Sequence, residues 1–261
     1  MFVTDFDKTL SVDDAGLLMS LKLGITREEF DDKIKSLKEK SLTKFGAEVP
    51  YLILHDQDFK GKVTKEVLLN VGKEIRLKKH LPELAGILNR GINGNRFSFH
   101  VISAAPQEVL EMSLKGIVPP ENVHGTIFEY DEKGTVKGVK KAIAGAAKVE
   151  ALDVVRRKEK IPLDRTIYVG DGFSDMYIIM YVRAYHGYTI AVTPTSFLGH
   201  ICRKTVISND ALSLLAPILE DILGFSHDEV RKFYEKIGHP LQTWEKAKVE
   251  WFDFGSETKY P

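Results

Sequence analysis

Two aspartates, Asp5 and Asp7, stand one residue apart directly after a short apolar stretch at the start of the sequence. Phe2 to Thr4 is predicted to be a short buried strand, because its residues are apolar or β-prone. Side chains at positions i and i+2 of a strand point to the same face, so both carboxylates can reach one small site. Carboxylates held so close together repel each other unless a proton or a metal ion lies between them. The pair suits a hard cation such as Mg²⁺, although an ordinary strand-to-loop exit has the same residues.

Two further polar groups stand beside predicted core elements. Residues 97–103 are predicted to be a strand that ends in the hydroxyl of Ser103, close to a helix N-terminus where anions are favoured. Lys148 stands at the start of a predicted helix, where a cation does not interact favourably with the helix dipole. That position indicates another role, such as holding a phosphate. Taken singly, each residue has a commoner interpretation: Ser103 as a turn or cap residue, and Lys148 as a surface lysine.

Acidic residues recur after a further predicted strand, which ends at Gly170. Asp171 and Asp175 follow it, and Gly172 between them lets the backbone come close to a ligand. Ligands of an open parallel sheet bind outside the carboxyl ends of its strands. We therefore expect these acids at the same edge of the sheet as the first pair.

The elements that must position these residues alternate between strand and helix. The predicted strands are Phe2–Thr4, 97–103, Val123–Tyr130 in a hairpin with 135–139, 166–170 and 189–192. The predicted core helices are 82–90, 149–157, one through Met176 and Val182, and 209–223, which Pro217 is expected to kink. This alternation predicts an α/β fold with a doubly wound parallel sheet.

A block of helical periodicity separates the first strand from the rest of the predicted core. Apolar residues at helical spacing predict a first helix there. Thr26 with Glu29 forms a capping-box signature for a second helix over 27–44, and Thr64 is expected to cap a third. The predicted loops of this block are residues 46–50 and 56–61.

The predicted organisation is a core in two segments, a cap and a tail. The core comprises residues 1–10 and 81–224, the small helical cap domain residues 11–80, and the helical tail residues 225–261. The tail is rich in aromatic residues, and Trp244 and Trp251 stand at helical spacing. We interpret it as a terminal helix packed on the core. A contact between copies in a homo-oligomer, or a wall near the active site, stays open, because aromatic residues are enriched at interfaces.

Composition limits the class of protein. Of 261 residues, 43% are hydrophobic and 28% charged, which is ordinary for a soluble globular protein. The formal net charge is zero, so the sequence lacks the basic footprint of a nucleic-acid binder. No apolar run approaches the roughly 20 residues that a membrane span needs. Cys202 is the only cysteine and Met1 leads straight into the first strand, so we expect a cytoplasmic protein without a disulfide or signal peptide.

Four motifs stand in order, each next to a predicted core element: Asp5-Phe-Asp-Lys-Thr9, Ser103, Lys148 and Gly170-Asp-Gly-Phe-Ser-Asp175. Together they resemble the haloacid dehalogenase superfamily, in particular its Mg²⁺-dependent phosphatases. The order and local context match over about residues 1–10 and 82–223. The helical block is similar to the first-type cap of that superfamily, and the subgroup that the chain resembles most is the phosphoserine phosphatase-like one.

The resemblance implies a role for each acid. Asp5 would be the nucleophile that forms an aspartyl-phosphate, and Asp7 the general acid and then the base that activates water. Mg²⁺ would be held by the Asp5 carboxylate, the Asp7 backbone carbonyl and Asp171. Asp175 completes the metal group by holding a metal-bound water or the lysine.

The resemblance also implies a phosphate-binding group and a specificity residue. Ser103 and Lys148 would bind the oxygens of the transferring phosphoryl group, and Thr9 is assigned to the same group as the residue that fixes its loop. Asp14 stands nine positions after the nucleophile, where an acid contacts the non-phosphate part of the substrate in phosphoserine phosphatase-like relatives. The alternative is that Asp13 or Asp14 merely caps the next helix.

The predicted function is Mg²⁺-dependent hydrolysis of a small phosphorylated metabolite. A phosphomutase or phosphotransferase on the same scaffold would share the aspartyl-phosphate and stays open. A phosphate-receiving signalling module is a different class, and it lacks both the acid at the position of Asp7 and a helical insert. A dehalogenase needs neither Asp7 nor a metal. The sequence leaves the identity of the metabolite open.

Overall fold

The protein is described by a computed structural model covering residues 1–41, 43, 46–193 and 196–241. In that part of the chain, seven strands form one sheet in the order β4-β3-β2-β1-β5-β6-β7. The strands are β1 (Phe2–Thr4), β2 (Phe99–Pro106), β3 (Val123–Tyr130), β4 (Val136–Lys141), β5 (Ile167–Gly170), β6 (Tyr188–Ala191) and β7 (Lys204–Thr205). Neighbouring strands are parallel apart from β3 and β4, which form the predicted antiparallel hairpin. The predicted doubly wound α/β sheet is confirmed.

Helices connect successive strands or follow the last one. They are α1 (Ala15–Lys22), α2 (Arg27–Glu39), α3 (Glu48–His55), α4 (Lys65–Glu74), α5 (Leu81–Arg90), α6 (Gln107–Ser113), α7 (Ala146–Glu159), α8 (Met176–Ala184), α9 (Ser196–Ile201), α10 (Leu215–Pro217) and α11 (His227–Lys236). Helices α1 to α5 lie between β1 and β2 in sequence, and α6, α7, α8 and α9 each lead into the next parallel strand. In the described part of the chain, no helix combines the length and apolar character required of a membrane span.

Strand β1 occupies the centre of the sheet, between β2 and β5. Its residues Phe2, Val3 and Thr4 are completely buried. A strand covered on both faces is a continuous apolar or β-branched run, which explains why this short segment shows no alternation of polar and apolar residues. Because β1 lies between β2 and β5 and is parallel to both, the residues that follow these three strands meet at one edge of the sheet.

The chain divides into two compact units, Met1–Leu215 and Ala216–Pro261. The first contains the whole sheet and also the predicted cap residues 11–80, so the separation of a cap domain from a core stays a prediction. In the second unit, the described residues form the π-helical turn Ile218–Ile222 and α11, whose capping box joins Ser226 and Glu229. The tail residues that carry Trp244 and Trp251 lie outside the described residues.

The predicted helix starts in the insert are confirmed by their caps. The Thr26 hydroxyl accepts a hydrogen bond from the Glu29 backbone N–H, while the Glu29 carboxylate accepts one from the Thr26 N–H, which completes the capping box. Thr64 caps α4 by accepting a hydrogen bond from the Val67 N–H. Helix α2 ends at Glu39, however, several residues before the predicted end.

The prediction that residues 46–50 are a loop is wrong, because α3 begins at Glu48. Gly46 and Pro50 both suggested a break in regular structure. Pro50 lies in the first turn of α3, where backbone N–H groups have no partner within the helix and the proline ring is tolerated. Burial of Leu52 and Ile53 then holds the helix in place.

The predicted helix over 209–223 is also not a single helix. It is a succession of a 3₁₀ turn (Ala211–Leu214), α10 and the π-helical turn. Pro217 lacks a backbone N–H and cannot donate the hydrogen bond that would continue a regular α-helix.

Helices α4 and α6 pack closely at Gly72. A methyl group built on Gly72 would lie 2.7 Å from the Val109 carbonyl oxygen and 2.8 Å from Met112 Cβ. We expect Gly72→Ala to lower the free energy of unfolding by about 1–3 kcal/mol, the usual cost of overpacking. Gly86→Ala in α5 is the matched control, since its methyl group would meet only the flexible end of Arg90.

Chemical denaturation of both variants checks this expectation. Gly86→Ala should gain up to about 1 kcal/mol from the better helix propensity of alanine. Equal changes in the two variants would contradict close backbone packing at Gly72.

Candidate active site

The carboxyl ends of β1, β2 and β5 converge on a cavity of about 420 Å³. Asp5 follows β1, and its backbone N–H donates to the Val169 carbonyl oxygen of β5 at 2.9 Å. Asp171 follows β5, and Ser103 lies in β2 where its pairing with β3 shifts register between Ile102 and Pro106. All three residues line the cavity. The sheet therefore brings together residues that are far apart in sequence, as expected from the strand ends.

Lys148 is completely buried beside these acids. Its Nζ lies 2.8 Å from Asp5 Oδ1 and 2.6 Å from Asp175 Oδ1. Burial lowers its pKa, but the two carboxylates outweigh that effect and raise the pKa above its usual value. Lys148 is therefore a permanent cation that joins the loop after β1 to the loop after β5. It contacts Asp5 but is not itself among the residues that line the cavity.

The Asp175 carboxylate has its hydrogen-bonding capacity filled by the protein. Oδ1 accepts from Lys148 Nζ and from the Tyr168 hydroxyl, both at 2.6 Å. Oδ2 accepts from the backbone N–H groups of Asp171 at 3.1 Å and Gly172 at 3.3 Å. A carboxylate offers about four lone-pair sites, so none is left over here. Gly170 makes room for this arrangement, because a Cβ there would lie 2.6 Å from the Asp175 carboxyl carbon.

Three other carboxyl groups are held where a negative charge is disfavoured. Burial, with Asp175 nearby, raises the pKa of Asp5 to about 6 despite its contacts with Lys148 and Ser103. Burial and Asp14 raise the pKa of Asp7 well above its usual value, and burial and Asp5 do the same for Asp171. Such a group either keeps protons or gains a cation.

A divalent cation fits this set of donors. Carboxylate oxygens of Asp5, Asp171 and Asp175 lie within 4.8 Å of one another. Hard cations such as Mg²⁺ prefer oxygen ligands. Since Asp175 is saturated by its four donors, the oxygens available to a cation belong to Asp5 and Asp171.

The loop after Asp5 is tied to helix α1. The Asp7 Oδ1 atom accepts a hydrogen bond from the Ala15 N–H at 2.8 Å, and Lys8, in the left-handed region with φ 56°, pairs with Asp14 Oδ2 at 3.1 Å. Asp14 Oδ1 accepts from the Leu17 N–H at 3.1 Å and so caps α1. Asp14 also lines the cavity. The capping role is confirmed, and the specificity role stays a prediction.

Ser103 and Thr9 differ in their position relative to the cavity. The Ser103 hydroxyl lowers the pKa of the Asp5 carboxyl group and accepts a hydrogen bond from the Ala105 N–H at 3.3 Å. Thr9 is completely buried, does not line the cavity, and its hydroxyl has no hydrogen-bond partner among the described residues. The cavity is therefore lined by Ser103 but not by Thr9, and the assignment of both residues to phosphate binding stays a prediction.

Several site residues could not be identified from the sequence. Tyr168 appeared to be an ordinary core residue of β5, yet its hydroxyl contacts Asp175. The insert contributes a second wall of the cavity, made of residues from α1, α2 and α3 and the turn before α3: Asp14, Gly16, Phe30, Asp31, Ile34, Lys38, Gly46, Glu48 and Val49. The presence of an insert was predicted from its periodicity, but which of its faces meets the sheet depends on packing.

The buried position of Lys148 generates a stability prediction. Removing its ammonium group leaves Asp5 and Asp175 buried without a cation, so Lys148→Ala should lower the free energy of unfolding by about 3–5 kcal/mol in metal-free protein at pH 7.5. The loss should shrink toward pH 5. The pKa of Asp5 is already about 6 with the lysine present and rises further without it, so the variant folds with Asp5 protonated at low pH.

Denaturation at pH 7.5 and pH 5 measures this difference, with Lys140→Ala as the control on the exposed side of β4. A loss that does not change with pH, or one equal to that of Lys140→Ala, would contradict the ion-pair interpretation.

Known proteins share both the sequence pattern and the fold of this chain. The family model for haloacid dehalogenase-like hydrolases matches residues 2–179. A comparison with curated protein sequences found no match. The fold is similar to a substrate-bound phosphoserine phosphatase complex, with TM-score 0.63 and 18% identity over 82% of this chain and 95% of that one. It is also similar to a phosphoserine phosphohydrolase-like protein from Francisella tularensis, with TM-score 0.63 and 18% identity over 82% and 97% of the two chains. With the family model spanning more than half of its length, the chain belongs to the haloacid dehalogenase-like hydrolase family.

Proposed function

We propose that the chain is a Mg²⁺-dependent phosphomonoester hydrolase that acts on a small phosphorylated metabolite through an aspartyl-phosphate on Asp5. One observation carries the proposal: Asp5, held by buried Lys148, lies with Asp7, Ser103 and Asp171 around one cavity. The cavity volume of about 420 Å³ is within the usual range of small-molecule sites.

The proposed roles of the residues, which the family resemblance implies, agree with their contacts. A carboxylate oxygen of Asp5 attacks phosphorus, and the bond from phosphorus to the leaving oxygen breaks as Asp7 gives that oxygen its proton. Asp7 then takes a proton from water, whose oxygen attacks phosphorus and releases free phosphate and the Asp5 carboxylate. Lys148 fixes the Asp5 side chain for attack, and the Ser103 hydroxyl is placed to donate to a phosphoryl oxygen.

The surroundings of Asp7 support its role as the acid. Burial, Asp14 and Asp5 raise its pKa, so Asp7 holds a proton at a pH where an ordinary aspartate has lost it. A general acid is most effective when its pKa lies near the working pH. The hydrogen bond from the Ala15 N–H to Asp7 Oδ1 leaves its other oxygen for the substrate.

The Asp5 and Asp171 carboxylates, with the Asp7 backbone carbonyl, would hold Mg²⁺. The metal ion would supply positive charge that offsets the charge of the transferring phosphoryl group. Asp175 would not bind the metal ion directly, because both of its oxygens already accept hydrogen bonds. The donors are Lys148, Tyr168 and the backbone N–H groups of Asp171 and Gly172.

A phosphomutase or phosphotransferase would use the same Asp5 chemistry and differ in the acceptor that replaces water. A signalling receiver is disfavoured by the position of Asp7 and by the second wall that the insert gives the cavity. The proposal includes a cytoplasmic location, which the single cysteine supports, and a small phosphorylated substrate as the partner. Association of copies through the tail also belongs to the proposal.

The proposal predicts turnover of phosphomonoesters, such as para-nitrophenyl phosphate, with Mg²⁺ and its loss in excess EDTA. Asp5→Asn should abolish turnover, since the nucleophile is gone, and Asp7→Asn should slow it by about 10²–10⁴-fold, the usual worth of a general acid. The measurements are steady-state rates and trapping of phosphoenzyme. Full turnover in chelator, or a trapped phosphoenzyme in an Asp5→Asn protein checked for deamidation, would refute the proposal.

The acid cluster also predicts how Mg²⁺ binding depends on pH. Burial raises the pKa of Asp5 to about 6 and also raises the pKa of Asp171 well above its usual value, so at lower pH these acids bind protons that Mg²⁺ must displace. Mg²⁺ should therefore raise the Tm more at pH 7.5 than at pH 5.5. Asp171→Asn should lose most of this increase, whereas Asp32→Asn on the exposed face of α2 should keep it. An increase that is the same at both pH values would contradict metal binding by these acids.

A further inference from the structure

The insert side of the cavity contains charged residues in two different situations. Asp31 and Lys38 are exposed residues of α2. Asp14 is already paired with Lys8 through Oδ2, and its Oδ1 accepts a hydrogen bond from the Leu17 N–H at the cap of α1. Glu48 differs from these residues, because it lines the cavity while only 6% of its surface is exposed.

The Glu48 carboxylate has little compensation from the protein. Its Oε2 atom accepts one hydrogen bond, from the Gly46 N–H at 2.8 Å. Within the described ranges, no lysine, arginine or histidine forms an ion pair with it. Burial of a carboxylate is costly unless its lone pairs are satisfied, and one donor covers about one of four sites. The position at the start of α3 is favourable for an acid but leaves the cavity-facing part of the group open.

The turn before α3 holds Glu48 over the catalytic edge. Gly46 has φ 88°, and a Cβ there would lie 3.2 Å from Ser174 Cβ and 3.5 Å from Ala104 Cβ. This close approach sets the turn against the loop after β5 and the irregular part of β2. Phe30 and Val49 add apolar surface to the same wall, and an apolar environment strengthens a hydrogen bond to a carboxylate.

We propose that Glu48 is the specificity residue of this site and that the leaving group of the substrate is a small amino alcohol, whose ammonium group donates to the Glu48 carboxylate. The inference rests on the proposed function and names the substrate class of the same cavity. An ammonium group satisfies the open lone pairs and also compensates the charge, which a hydroxyl group does only in part. A leaving group with a carboxylate would face repulsion from Glu48.

The experiment compares four esters of similar size: aminoethyl, hydroxyethyl, propyl and carboxymethyl phosphate. Values of kcat/KM are measured for the parent, Glu48→Gln and Asp32→Asn, with para-nitrophenyl phosphate as a reference for the chemistry. Glutamine keeps an oxygen that accepts the Gly46 N–H, so the turn is retained, and the Tm reports on folding. Asp32→Asn makes the same chemical change at an exposed residue of α2 that does not line the cavity.

The parent should prefer the aminoethyl ester over the propyl ester. Glu48→Gln should lower kcat/KM for the aminoethyl ester by about 10–100-fold, the usual range for a hydrogen bond to a charged group. It should also change the propyl ester and para-nitrophenyl phosphate by less than about threefold and improve the carboxymethyl ester, because the repulsion is removed. Asp32→Asn should leave all ratios as in the parent.

A parent that prefers the hydroxyethyl ester, or equal losses on all esters in Glu48→Gln, would overturn the inference and leave Glu48 as a residue that only supports the turn. In both cases continued turnover of para-nitrophenyl phosphate keeps the proposed function intact. Absence of turnover of every ester with Mg²⁺ would overturn the proposed function and this inference together.

Discussion

The buried ammonium group of Lys148 lies between two carboxylates, at 2.8 Å from Asp5 and 2.6 Å from Asp175. Each of the three groups would be costly to bury alone, and the hydrogen bonds among them make the burial tolerable. The contact also joins three segments that are far apart in sequence: the end of β1, the start of α7 and the loop after β5. The geometry of the site depends on this contact more than on any single strand.

Asp175 extends the same network to the backbone. By accepting from Tyr168 and from the N–H groups of Asp171 and Gly172, it fixes the loop on which Asp171 stands. The absence of a side chain at Gly170 is a requirement of this network, since a Cβ would overlap the Asp175 carboxyl group. An acid that resembles a metal ligand in sequence thus serves to hold the lysine and the loop.

The negative charge of the remaining acids, Asp7 and Asp171, is not compensated by Lys148 in the way that the charge of Asp5 and Asp175 is. One cation faces Asp5 and Asp175, while Asp7 and Asp171 lie nearby without a cation of their own at hydrogen-bond distance among the described residues. Burial is the main cause of their raised pKa values, and the neighbouring carboxylates add to it. The same excess of negative charge favours a proton on Asp7, as a general acid requires, and a divalent cation at Asp5 and Asp171.

The sequence by itself determined the order of the strands along the chain and the residues at their ends. Hydrophobic runs such as Phe2–Thr4 and local signals such as the Thr26–Glu29 capping box are properties of neighbouring residues, so they survive without knowledge of the fold. The grouping of Asp5, Ser103 and Asp171 was predictable because parallel strands end at the same edge, whereas the place of Lys148 beside them was implied by the family resemblance. Only the tertiary structure decided which atoms meet: Asp175 is saturated, Thr9 is enclosed, and Tyr168 joins the site. The tertiary structure also decided that Glu48 faces the cavity. Helix α3 starts where a loop was predicted, and the orientation of this helix depends on packing between segments that are distant in sequence.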